Sequence, residues 1–109
     1  MTLKRDAASL FERMHLIIAL TEVNSRHLRG ESRRAGAEIE LACALACLEH
    51  NGVSPEGAAH IEQLRERLGE AESELRAIES DRERLAKELT DLDSLASSGT
   101  QGEGGTQWQ

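Results

Sequence analysis

Cys43, Cys47 and His50 are the residues of this chain whose types and spacing are best suited to chemistry. At positions i, i+4 and i+7 they share one face of a helix. Two thiolates and an imidazole are good donors for zinc or cuprous copper, and His60 lies just beyond as a fourth ligand. The competing reading is structural, because Cys behaves as a small hydrophobe in helical cores and "CALAC" sits among small apolar residues. The metal reading is therefore kept as the alternative function. No cofactor is expected.

The Cys-x3-Cys spacing of Cys43 and Cys47 resembles that on the helices of copper-storing bundle proteins, a likeness confined to this one motif. Other polar groupings point away from catalysis and from nucleic acid. His15, His27, His50 and His60 are scattered, and nothing places a nucleophile beside a base and an orienting group. No enzyme is expected. The basic cluster Arg26, Arg29, Arg33 and Arg34 has no interleaved aromatic residues to stack on bases. Its expected role is a salt-bridged face against an acidic helix. Trp108, the only Trp, stands in the final "QWQ" as a candidate tail anchor for a partner's pocket.

Composition sets the frame for these residues. Of 109 residues, 30% are charged and the net charge is −7, which makes nucleic acid and anionic membranes unfavourable partners. Tyr is absent, and Phe and Pro occur once each. A chain rich in Ala, Leu, Glu and Arg with so few turn residues predicts an all-α protein. No stretch approaches the roughly 18 apolar residues of a bilayer span. The N-terminal apolar run is broken by Glu12, Arg13 and His15, so no signal peptide is expected. Two cysteines one helical turn apart do not suggest a disulfide framework, and a cytoplasmic compartment is expected.

From Ser54 onward the pattern is regular. Ile61, Leu64, Leu68, Ala71, Leu75, Ile78, Arg82, Leu85, Leu89 and Leu92 follow alternating steps of three and four, a heptad seam for coiled-coil packing. Ser54 caps this helix, Pro55 suits its first position and Glu56 favours its positive end. Val53 is expected to staple onto Ala58. In the first half, Leu3, Ala7, Leu10, Met14, Ile17, Thr21, Asn24 and Leu28 form a second seam, continuing less cleanly through Glu31, Ala35, Glu38 or Ile39, Ala42 and Leu45. Gly30 leaves open one long helix or two shorter ones. Asn51 and Gly52 tolerate the left-handed conformation of a helix end. The expected domain is thus a hairpin over 1–96: helix one about 2–50, a turn at 51–54 and helix two about 54–96. A flexible Gly-rich tail follows at 97–109.

Folding the chain about Val53 opposes residues whose numbers sum to about 106. Leu28 then meets Ile78, Ile17 meets Leu89, Met14 meets Leu92 and Ala42 meets Leu64. Asn24 falls opposite Arg82, the one charge of the second seam, as a register-setting polar layer. Ala35 meets Ala71 in a close-approach layer. The arginines of residues 26–34 face Glu79, Glu74, Glu72 and Glu70, while Glu38 and Glu40 lie near Arg67 and Arg65. Glu31 opposite Leu75 is a misfit that requires a local bend at Gly30.

Two helices bury one stripe each, and "LFERMHLIIAL" is apolar on more than one side. Beside the seam lie Phe11 and Ile18 on one flank and Leu16, Leu20 and Val23 on the other. The polar tail is unsuited to cover them, so the surplus face is expected to meet another chain. A homodimer forming a four-helix bundle is the first expectation and another helical protein the second. The expected function is that of a non-enzymatic interaction module, an assembly, adaptor or chaperone-like subunit acting through Phe11, Leu16, Ile18, Leu20 and Val23. In architecture, with its short turn and exposed apolar helix face, the chain resembles the small helical-hairpin chaperones of bacterial secretion machines.

Overall fold

The structure, a computed structural model, describes the backbone of residues 2–99 and the side chains of residues 7–95. It contains two helices, α1 (Thr2–Asn51) and α2 (Pro55–Gly99), packed against each other as a helical hairpin. No strand occurs among the described residues. α1 runs unbroken through Gly30, which settles the choice between one helix and two. α2 continues to Gly99, three residues past the boundary expected at 96. Trp108 and residues 100–109 lie outside the described residues.

The turn is closed from both sides by its own residues. Gly52 adopts φ +86°, and its N–H donates to the Leu48 carbonyl at 2.9 Å, the bond of a left-handed helix C-cap. A side chain at such φ is strained, which is why glycine suits this position. At the start of α2 the Gly57 N–H donates to Ser54 Oγ at 3.0 Å, and the Ala58 N–H donates to the Ser54 carbonyl at 2.9 Å. Ser54 is thus the N-cap its sequence position predicts. The expected staple is not made, since Val53 is 82% exposed and Ala58 is exposed as well. Leu48 takes that place: its Cδ1 lies 3.4 Å from where a Cβ on Gly57 would stand.

The chain divides into two compact units, Ser25–Ser80 and Met1–Asn24 with Asp81–Gln109. In the first, α1 turns His27, Gly30, Arg34, Ala37, Leu41, Ala44 and Leu48 inward or half-inward, and α2 answers with Gly57, Ile61, Leu64, Leu68, Ala71, Leu75 and Ile78. Ala37, Ile61, Leu64, Leu75 and Ile78 are its buried apolar core. The helices approach closely at Gly30, where a Cβ would stand 3.1 Å from Leu75 Cδ1 and 3.5 Å from Ile78 Cδ1. In the second unit the inward residues of α1 are Ser9, Leu16, Ala19, Leu20 and Val23, and those of α2 include Arg82, Leu85, Leu89 and Leu92. Val23 is 1% exposed.

The inward stripe of α2 is the predicted one throughout. That of α1 lies one residue earlier than predicted, a turn of about 100°. Leu10, Met14, Ile17, Thr21, Asn24 and Leu28 therefore face outward, while Leu16, Leu20 and Val23, read as a flank, form the seam. The residues after His27 explain the choice. The predicted stripe would bury Glu31 and Glu38, whereas the observed one offers Gly30, Ala37, Leu41, Ala44 and Leu48. The misfit of Glu31 with Leu75 vanishes because Gly30 takes that place.

The register survives this rotation. Arg33 Nη1 pairs with Glu74 at 2.9 Å, Arg67 Nη1 with Glu40 at 3.3 Å and Arg13 Nε with Asp93 at 3.0 Å. All join positions whose numbers sum to 106 or 107. Each is solvent-exposed and contributes about 0.2–1 kcal/mol at most.

Candidate interaction face and side-chain clusters

The N-terminal segment of α1 presents an outward apolar face. Leu10 is 61% exposed, Phe11 66%, Met14 53%, Ile17 40% and Ile18 55%. Ala7 and Thr21 extend the same stripe and are exposed too. By the 3.6-residue period these residues form one band, bordered by Arg13 on one side and by His15 and Glu22 on the other. The band itself carries no charged side chain. Its cause is local: the sequence offers apolar residues at both heptad phases between Leu10 and Val23, and one α2 covers only one phase.

Of the five residues expected to contact a partner, the structure leaves Phe11 and Ile18 in this band. Leu16 and Leu20 are half-buried and Val23 is buried, so these three belong to the hairpin's own seam. Leu10, Met14 and Ile17 replace them. The expected register pair is likewise separated in environment, with Asn24 exposed and Arg82 half-buried. The inward position next to Asn24 is Val23, which is buried.

Cys43 and Cys47 are both exposed thiols on one wall of a groove of about 500 Å³ beside the turn. His60 of α2 shares that groove with them, together with Glu40 and the apolar Ile39, Leu48 and Leu64. His50 is exposed and does not line it. The i+7 spacing predicts His50 near Cys43 and Cys47, whereas the residue that shares their groove is His60. The ligand atoms of these residues are not gathered within 4.8 Å of one another.

A different cluster is gathered. His27 Nε2 lies 3.3 Å from Glu79 Oε2 and 3.8 Å from Glu31 Oε2, and one donor atom from each residue falls within 4.8 Å of the others. All three are half-buried. Arg34 Nη2 donates to Glu31 Oε1 at 3.2 Å, and Arg34 Nη1 reaches Glu38 at 2.8 Å. The Arg34 pKa is raised, first by its hydrogen bond to Glu31 and then by the charge of Glu38. In the sequence His27 is one of four scattered histidines. Its signal was present all the same, as a His-x3-Glu pair at i, i+4 with Glu79 opposite His27 at a sum of 106.

Of the basic cluster, Arg33 pairs across to Glu74 of α2, while Arg34 pairs within α1 with Glu31 and Glu38. Among the described residues no side-chain nitrogen or oxygen is buried without a hydrogen-bond partner. Among the described residues no helix is long and apolar enough to cross a membrane. No family model, characterised protein or solved structure matches the chain.

Proposed function

We propose that this protein is a non-enzymatic interaction module, an assembly, adaptor or chaperone-like subunit that works through the outward apolar band of α1, with a second copy of the same chain as the occupant. The observation that carries this reading is the band itself. Five large apolar side chains at 40–66% exposure lie at the three-and-four spacing that coiled-coil partners interlock. An outward helix face of this kind is apolar beyond what a solvated surface requires.

A second copy suits the band for two reasons. Its spacing is the same heptad spacing by which α1 and α2 already pack, so a helix of this chain has the complementary ridges and grooves. The band also lacks charge, so two chains of net charge −7 meet there without placing like charges face to face. Two hairpins joined by a two-fold axis through this band form a four-helix bundle.

Light scattering over a wide concentration range tests the proposal. The expected mass is about 24 kDa, twice the 12.0 kDa of the chain. Phe11→Glu and Ile18→Glu are each expected to return it to the monomer mass with helicity retained, because both side chains point outward. A wild-type monomer at all concentrations overturns self-association and leaves a different helical protein as the occupant.

A further inference from the structure

The half-buried cluster on the flank of the hairpin near Gly30 has the donor set and spacing of a cation site. We propose that His27, Glu31 and Glu79 bind a divalent transition-metal ion of the zinc type, tying α1 to α2. His27 Nε2 supplies the imidazole lone pair, and one carboxylate oxygen each comes from Glu31 and Glu79.

The geometry is close to what such an ion needs. Zinc takes nitrogen and carboxylate oxygen at about 2.0–2.2 Å in tetrahedral sites, which places neighbouring donors about 3.3–3.5 Å apart. His27 Nε2 and Glu79 Oε2 stand 3.3 Å apart, and His27 Nε2 and Glu31 Oε2 3.8 Å. Small rotations of the half-buried carboxylates close the remainder. Two carboxylates neutralise the charge of a dication, and the flank is open enough for water to complete the coordination.

Two further features serve the cluster. Glu31 presents Oε2 to His27 while Arg34 holds its other oxygen, Oε1, so the carboxylate is aimed without its ligating atom being occupied. Outer partners of this kind orient metal ligands in proteins. Gly30 brings the helices together one residue before Glu31, with Leu75 Cδ1 3.1 Å from the position of an added Cβ. That approach lets a side chain of α2 reach a histidine of α1.

The test is calorimetric titration of zinc chloride into the full chain carrying Cys43→Ser and Cys47→Ser, which removes the thiols of the groove. The expected result is saturable binding near one ion per chain. Adding His27→Ala, or separately Glu79→Gln, is expected to weaken that binding at least tenfold, with helicity followed by circular dichroism. Glu79→Gln keeps the size of a half-buried side chain and guards against misfolding of the His27 variant. Absence of saturable binding in the thiol-free chain overturns the proposal. So does binding that is unchanged by both further substitutions. The readout is separate from self-association, because none of the cluster residues belongs to the apolar band.

Discussion

The two ends of α1 use their apolar residues in opposite ways. Between Leu10 and Val23 large side chains occupy both heptad phases, so a single neighbouring helix satisfies half of them and leaves Leu10, Phe11, Met14, Ile17 and Ile18 outside. Between His27 and Leu48 the inward positions hold Gly30, Ala37 and Ala44, the large apolar side chains left outside are Leu28, Ile39 and Leu45, each six or more residues from the next, and Arg33 and Glu40 are bonded across to α2. The second segment closes its core with small residues and leaves its exposed large apolar side chains dispersed, not gathered in a band. The first has capacity for another helix. The difference shows that one continuous helix can be a finished core at one end and an open surface at the other, with no change of secondary structure to mark the boundary.

The largest expected effect tests the finished end. Leu64 is 2% exposed, and Leu64→Ala is expected to cost about 2–4 kcal/mol through lost burial and a cavity, read by urea denaturation. Ile17→Ala, measured on the Ile18→Glu background where association is removed, is expected to cost under about 1 kcal/mol, because Ile17 is already partly in water. Equal costs would erase the distinction between the two ends.

A smaller effect probes the close approach. Gly30→Val places branched carbons against Leu75 and Ile78 and is expected to destabilise by about 1–3 kcal/mol. Gly36, six residues on, has nothing within 4 Å of an added Cβ. Gly36→Ala is therefore expected to stabilise by about 0.5–1 kcal/mol, from helix propensity alone. Thermal melts of the two variants, run side by side, check that the opposite signs follow the spacing of the helices.

α2 was legible from its sequence because only one of its faces is apolar. Its stripe from Ile61 to Leu92, its cap at Ser54 and the register about Val53 all follow from residue spacing. The rotation of α1 was not legible from periodicity, because two stripes one residue apart both keep the heptad period between Leu10 and Val23. The deciding residues lie farther along, where Glu31 and Glu38 compete with Gly30 and Ala37 for the seam. Charge burial settles that competition. The clusters show the same limit. Spacing along one helix linked Cys43 to His50, whereas proximity across the turn linked it to His60. The gathering of His27 with Glu79 depended on combining an i, i+4 pair with the fold-back.

The turn has a consequence for how the chain is connected. Gly52 closes α1 by a bond to Leu48, and Ser54 closes α2 by bonds from Gly57 and Ala58, so neither helix end depends on the other for its hydrogen bonds. Val53 between them is largely in solvent and acts as a tether. Lengthening a flexible tether costs only about 0.6 kcal/mol for each doubling. Val53 is thus the natural point to open the polypeptide or insert a foreign segment, and the two helices are suited to recombine as separate peptides.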